Sequence, residues 1–171
     1  MASPTVSLES ATAADAVLLS NLLELYIHDL SEVFPNIELG ADGRYGYPKL
    51  PLYWSEPEQR FAFLIRMDRR TSGFALVTRG SPAVEDPNVW DVAEFFVLRG
   101  HRRYGVGRQA ASLLWNSLRG AWTVRVSEGN RGGLAFWSST VAQYAGGAAS
   151  EFTRPGQKTD PWRVFSFQSA G

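Results

Sequence analysis

The feature that most constrains the fold is a strand, a basic turn and a helix that follow one another directly. Residues 89–98 are mainly β-branched and aromatic, which is typical of a buried strand. Residues 99–104 form a polar turn with three arginines, and a helix is predicted from Gly105 to about Leu118. A glycine-bearing turn at a helix start presents unpaired backbone N–H groups and the positive end of the helix dipole. The segment therefore predicts a site for an anion such as the diphosphate of a cofactor.

The glycine spacing fits two classes of cofactor. Gly105-x-Gly107-x-x-Ala110 matches the relaxed dinucleotide fingerprint, and Glu128 ends the next predicted strand, where a ribose-binding acid is expected. Six residues separate Leu98 from Gly105, however, whereas the fingerprint turn follows its strand at once. An NAD(P)-binding oxidoreductase is therefore the less favoured alternative, beside a basic surface turn that binds no ligand.

The second class is acyl-CoA. Arg102-x-x-Gly105-x-Gly107 resembles the (Gln/Arg)-x-x-Gly-x-(Gly/Ala) signature of the GNAT superfamily of N-acetyltransferases. In that family the signature also follows a hydrophobic strand and a short turn. Residues 94–98 and 130–137 are similar to a subgroup of bacterial GNAT proteins as well. The resemblance implies acetyl-CoA as cofactor and transfer of its acetyl group to the primary amine of a small acceptor by direct attack. A GNAT-fold acyl-CoA-binding protein without transferase activity is the alternative.

The order of predicted elements is β, α, loop, β, β, β, α, β, α, β, β. The first helix follows Thr12, a hairpin with a turn at residues 68–73 follows the loop, and a single βαβ unit carries the glycine turn. This order predicts an α+β fold with a mixed, mostly antiparallel sheet and helices on both faces, as in GNAT proteins. We expect one domain over residues 1–171.

Composition excludes several kinds of site and partner. The chain has no Cys and two His, which excludes disulfides, a Cys nucleophile and a Cys- or His-rich metal site. Lys+Arg and Asp+Glu both number 17, so nothing global indicates nucleic acid. The N-terminus lacks signal-peptide features and no apolar stretch is long enough to span a membrane. We expect a cytoplasmic protein without a membrane partner, and the resemblance adds a homodimer.

Acetyl transfer needs a neutral amine, a donor for the developing oxyanion and a proton for the leaving thiolate. Asp91 and Glu94 are the candidate bases, acting directly or through water, and a regular strand would place them on opposite faces. Glu94 is favoured because a carboxylate among aromatic residues is hard to explain by stability alone. The resemblance places a tyrosine acid where this chain has Trp137, so Tyr144 is the candidate substitute.

The remaining candidates bind the acceptor or the cofactor. The loop at residues 36–57 mixes glycines and prolines with aromatic residues, and either anchors itself on the core or forms a wall for the acceptor. Its Tyr45 and Tyr47, with Tyr26 and Asp29 of the first helix, are the acceptor candidates. By resemblance, the strand end and Asn130 hold the CoA arm. The predicted cofactor-binding residues are Val97, Leu98, Arg99, Arg102, Arg103, Tyr104, Gly105, Val106, Gly107, Arg108, Asn130 and Trp137.

Overall fold

A computed structural model describes residues 2–156 and 160–170 of the chain. Within them, seven strands form one sheet in the order β1-β2-β3-β4-β5-β7-β6. Only the β4–β5 pair is parallel, and the other neighbouring strands are antiparallel. This confirms the predicted α+β fold with a mostly antiparallel sheet. The strands are β1 Val6–Ser10, β2 Arg60–Met67, β3 Arg70–Arg79, β4 Trp90–Val97, β5 Ala121–Ser127, β6 Ser150–Arg154 and β7 Trp162–Gln168.

Helices cover both faces of the sheet. On one face α1 packs on alternate residues of β2 and β3, such as Leu64 and Phe74. On the other face α3 and α4 pack on the intervening residues, such as Ala75 and Val77, through Trp115. None of the described helices combines the length and apolar character that crossing a membrane requires. The helices are α1 Ala16–Ser31, α2 Leu52–Ser55, α3 Val106–Ser117 and α4 Arg131–Ala145, with 3-10 turns at Ala13–Asp15, Arg99–His101 and Gly146–Ala148.

The hairpin between β2 and β3 is tighter than predicted. The turn consists of Asp68 and Arg69 alone, both with positive φ (49° and 67°), which suits a two-residue hairpin turn. Asp68 is held by the residue that precedes β1, because its carboxylate accepts from the Thr5 N–H at 2.9 Å. Gly73, predicted to lie in the turn, belongs to β3, where an added Cβ would lie 1.9 Å from the Phe96 carbonyl oxygen. The chain therefore needs glycine there for close strand packing. Residues 157–159, in the predicted loop between the last two strands, lie outside the described residues.

Two irregularities of β4 create the site. Its pairing with β5 covers only Trp90–Val92 against Trp122–Val124, so the following half of β4 leaves its β5-facing edge open. A β-bulge also interrupts its pairing with β3, where Val92 and Glu94 face the consecutive residues Val77 and Leu76.

The bulge corrects the strand parity that the sequence predicted. Val92 and Phe95 both pack toward α3 and α4, which places the extra residue at Ala93. Asp91 and Glu94 therefore lie on the same face of the sheet, the one that α1 covers.

Candidate active site

A cleft with a volume of about 1950 Å³ occupies the opening between β4 and β5 and continues over the start of α3. It gathers most of the predicted residues in its wall: Tyr26, Asp29, Tyr47, Glu94, Val97, Arg99, Arg102, Arg103, Gly105, Val106, Gly107, Arg108, Asn130 and Trp137. The structure does not bring five of the predicted residues to that wall, namely Tyr45, Asp91, Leu98, Tyr104 and Tyr144.

One end of the cleft is the N-terminus of α3. Gly105 precedes the helix with φ +77°, a left-handed conformation that favours glycine, and within the described residues no side chain caps the helix. Gly107 permits close packing of α3 on α4, because an added Cβ would lie 3.0 Å from the Phe136 ring of α4. Arg108 extends the contact between the two helices, since its Nη2 donates to Ser139 Oγ at 3.1 Å. The first-turn N–H groups of α3 thus remain available for an anion.

Two of the three arginines of the turn bind α1. Arg99 and Arg102 form ion pairs with Asp29 at 2.8 and 2.6 Å. Burial acts to raise the pKa of Asp29, but the hydrogen bonds from Arg102 and Arg99 leave that pKa below its ordinary value. Asp29, predicted to bind the acceptor, is therefore a neutralised link between α1 and the turn and does not offer a free charge to a cationic amine.

Arg102 also occupies a backbone group at the end of β4, the segment that the resemblance assigned to the CoA arm. Its Nε donates to the Val97 carbonyl at 2.8 Å, so this oxygen already has a partner. The Leu98 N–H donates to Ser72 of β3 at 2.8 Å, and alternation along the strand turns the Val97 N–H toward the open side. The edge that faces the cleft thus offers the N–H of Val97 as its donor, while the carbonyl belongs to Arg102.

Asn130 and Trp137 join the cleft to α4. Asn130 caps this helix, because its Oδ1 accepts from the Gly133 N–H at 3.0 Å. Trp137 is only 8% exposed and packs edge-on against Phe95, with ring centroids 5.0 Å apart. Both side chains therefore have a structural role in addition to their place in the cleft wall.

A carboxylate held by two phenols lies on the open half of β4. Glu94 is partly buried and accepts from Tyr26 Oη at 2.7 Å and from Tyr47 Oη at 3.1 Å. Burial raises the pKa of Glu94, although both hydrogen bonds act to lower it. Burial also raises the pKa of Tyr26 and of Tyr47, so both phenols stay protonated and donate. The arrangement suits a base whose pKa lies above that of an ordinary carboxyl group.

Asp91 proves to be an internal ion-pair partner and is not at an exposed strand start. It is 0% exposed, and its Oδ2 lies 2.7 Å from Nη2 of Arg125. Its Oδ1 accepts from Thr123 Oγ1 at 2.6 Å and from Ser81 Oγ at 3.0 Å. These partners fix the carboxylate below the cleft surface, which makes it a poor candidate for direct proton transfer.

Sequence reasoning missed Arg125, although the sequence holds a signal for it. Arg125 lies between Val124 and Val126 in β5, where an arginine needs a partner if the strand is buried. Its guanidinium lies 4.6 Å from the centre of the Trp162 ring, and both residues line the cleft. The sequence does not reveal the partner of Arg125, because that partner, Asp91, belongs to β4, the parallel neighbour of β5.

Two predicted tyrosines have structural positions elsewhere. Tyr144 donates to Asn116 Oδ1 at 2.7 Å and packs on Trp115, which places it among α3, α4 and the core. Tyr45 anchors the loop to α1, since its backbone N–H donates to Glu24 at 2.7 Å and its hydroxyl lies 3.1 Å from Nδ1 of His28. The loop therefore anchors itself through Tyr45 and forms part of the cleft through its neighbour Tyr47.

Comparison with solved structures decides between the two classes of fold. An acetyltransferase from Thermus thermophilus matches with a TM-score of 0.67 and 17% identity, covering 98% of this chain and 99% of that one. The chain has the fold of the GNAT acetyltransferases. An aminoglycoside acetyltransferase in complex with coenzyme A matches with a TM-score of 0.69 and 12% identity over 96% and 95% of the two chains. No sequence-family model and no curated protein matches this chain.

A third GNAT structure widens the range of acceptors seen on this fold. The ribosomal-protein-S18-alanine N-acetyltransferase of Escherichia coli matches with a TM-score of 0.59 and 12% identity, over 98% of this chain and 96% of that one.

The described strands do not form the doubly wound parallel sheet that the NAD(P) alternative requires. Glu128, the proposed ribose ligand of that alternative, pairs with Arg163 at 2.9 Å.

Proposed function

We propose that this protein is an acetyl-CoA-dependent N-acetyltransferase that acetylates the primary amine of a small acceptor. The observation that carries the proposal is a single cleft that joins the uncapped start of α3 to the Glu94 carboxylate along the open edge of β4. An acyl-CoA-binding protein without transferase activity would need only the first of these features. The partly buried carboxylate with two phenol donors favours the transferase.

The residues at the α3 end fit coenzyme A. Acetyl-CoA would supply an activated acetyl thioester. The first-turn N–H groups from Val106 onward suit its diphosphate, and Gly105 keeps the approach free of a side chain. The exposed Arg103 adds positive charge beside them. The Val97 N–H on the open edge of β4 is our candidate donor to the thioester carbonyl.

Glu94 is our candidate base. Its carboxylate would accept a proton from the acceptor ammonium, directly or through one water, while Tyr26 and Tyr47 hold it in place. Tyr144 lies outside the cleft wall and the indole of Trp137 is not an acid. We therefore assign the proton that the leaving thiolate needs to water.

A thiol-release assay tests this function. We expect acetyl-CoA, mixed with the protein and a panel of primary amines, to release free thiol faster with at least one amine than with none. Tight binding of acetyl-CoA without amine-dependent release would favour the acyl-CoA-binding alternative. Thermal stabilisation by NAD but not by acetyl-CoA would contradict both the transferase and the acyl-CoA-binding alternative.

The homodimer expected from the resemblance stays a prediction.

Gly105→Val should raise the Kd for acetyl-CoA by at least about tenfold, a loss of about 1.4 kcal/mol. A β-branched side chain would obstruct the approach to the α3 N-terminus and strain a residue at φ +77°. Gly43→Val is the matched control, because Gly43 has the same φ of +77° but does not line the cleft. Calorimetry that finds equal Kd values for the two folded variants would remove the diphosphate from this turn.

Tyr47→Phe should move the acidic limb of the pH–rate profile to higher pH. The Tyr47 hydrogen bond acts to lower the pKa of Glu94, so its removal lets that pKa rise further. Tyr144→Phe serves as the control outside the cleft, and we expect less than about a tenfold change in kcat and an unshifted profile. An unshifted profile for Tyr47→Phe as well would show that this phenol does not act on the base.

A further inference from the structure

We propose that the acceptor carries a carboxylate beside its reacting amine, and that Arg125 binds this carboxylate while Glu94 receives the amine. The inference rests on the proposed transferase function and names the class of its acceptor. The amine of such an acceptor and its negative group would meet opposite charges on neighbouring strands, Glu94 on β4 and Arg125 on β5.

The guanidinium of Arg125 is held by one edge. Its Nε and Nη2 bind the Asp91 carboxylate at 3.1 and 2.7 Å. Within the described part of the chain, Nη1 makes no hydrogen bond, although the side chain lines the cleft and is 15% exposed. A guanidinium fixed along one edge presents donors of its other edge in a defined direction, a geometry that matches a carboxylate.

The surroundings keep this guanidinium in position. Thr123 and Ser81 hold Asp91 from its other side, at 2.6 and 3.0 Å. Trp162 covers the guanidinium plane at 4.6 Å from its ring centre. The donors that face the cleft are therefore preorganised, which lowers the cost of binding an anion.

The charges around Glu94 also favour an anion next to the amine. Burial raises the pKa of Glu94, and the positive charges of Arg125 and Lys49 oppose that rise, so both cations act on the same carboxylate. Two acidic residues of the cleft wall are already paired, Asp29 with two arginines and Glu56 with Arg60 at 2.7 Å. A polycationic acceptor would thus find Asp29 and Glu56 already neutralised, and it would meet Lys49 and Arg125 beside Glu94.

A buried hydroxyl at the same end of the cleft lacks a partner. Tyr53 is 4% exposed and lines the cleft, and its Oη makes no hydrogen bond within the described residues, although Arg60 and Tyr47 are its polar neighbours. Buried polar atoms are rarely left unpaired. A ligand whose acceptor oxygen reaches this hydroxyl would satisfy it.

The test compares matched acceptors on the wild-type protein, so it does not depend on any variant folding. The panel consists of the common L-amino acids, the carboxamide of each, and ethanolamine with its phosphate ester. We expect kcat/KM for the best amino acid to exceed that for its carboxamide by at least about tenfold. Equal values overturn the inference, and a preference for the phosphate ester alone overturns the carboxylate in favour of a phosphate.

Variants assign the preference to a residue. Arg125→Lys keeps the charge but loses the planar fork, and we expect the ratio of carboxylate to carboxamide kcat/KM to fall toward one. Lys49→Ala, at an exposed position, should lower the same ratio in part and provides the test if Arg125→Lys does not fold. Arg60→Lys is the control, because Arg60 lines the cleft but is paired with Glu56. A ratio that persists in both Arg125→Lys and Lys49→Ala contradicts the assignment.

Calorimetry separates this inference from the proposed function. The same amino acids and carboxamides are titrated into the protein saturated with coenzyme A. Selective binding of the carboxylate forms without any thiol release would contradict the transferase alone. Thiol release with no difference between carboxylate and carboxamide would contradict the acceptor class alone.

Discussion

Glu94→Gln is expected to lower kcat by about 10²–10⁴-fold, the usual contribution of a positioned base. The amide keeps the shape of the side chain, and its oxygen can still accept from Tyr26 or Tyr47, but it cannot take a proton from the acceptor. The Kd for acetyl-CoA should not change, because the start of α3 is untouched. Steady-state kinetics and calorimetry on the same preparation measure both quantities. A Glu94→Gln protein with full kcat would reduce Glu94 to a structural partner of the two tyrosines.

The pH dependence gives a second measure of the same residue. Because burial raises the pKa of Glu94 above its ordinary 4.5, the acidic limb of kcat/KM should lie above that value. The limb should flatten or move in Glu94→Gln. A wild-type rate that stays constant down to pH 4.5 would contradict a base with a raised pKa.

At alkaline pH we expect Glu94→Gln to lower activity but not to lower the thermal stability of the protein. A carboxyl whose pKa is raised on folding contributes stability that is present below its unfolded pKa and is lost as pH rises through its folded pKa. Wild-type protein therefore carries the cost of a buried charge at pH 8, and Glu94→Gln should have an equal or higher Tm there. The difference should shrink as pH falls toward 4.5. A Tm for Glu94→Gln that is clearly lower at pH 8 would show that the charged carboxylate stabilises the fold.

Asp91→Asn is expected to lower the free energy of unfolding by about 3–5 kcal/mol. The substitution leaves Arg125, which is only 15% exposed, without the carboxylate that neutralises it. Thr123 and Ser81 also lose a charged acceptor. Urea denaturation monitored by tryptophan fluorescence measures the effect, with kcat determined at a temperature where both proteins are folded.

The double variant Asp91→Asn, Arg125→Gln is the control for this effect. Removing both charges should restore much of the stability, because the loss comes from an unpaired buried charge. A single variant within about 1 kcal/mol of wild type, or a double variant no better than the single one, would contradict the ion-pair explanation.

The local sequence determined the parts of the site that depend on neighbours along the chain. The basic turn and Gly105 before α3 follow from residues within one short segment, since helix starts and glycine conformations are local properties. Glu94 stood out because its neighbours are aromatic, and Tyr47 of the loop and Tyr26 of the first helix were predicted as acceptor-binding residues. The structure places these three side chains in contact.

Tertiary structure decided what depends on pairing between distant segments. The bulge at Ala93 puts Asp91 and Glu94 on one face, and it arises from the register with β3, which no alternation pattern reveals. The neutralisation of Asp91 by Arg125 depends on the parallel pairing of β4 with β5, about thirty residues apart in the chain. Tyr144 lies outside the cleft because it packs on Trp115 of α3. Such contacts join residues that lie far apart in the chain, so the sequence supplies their side chains, and the fold decides which of them meet.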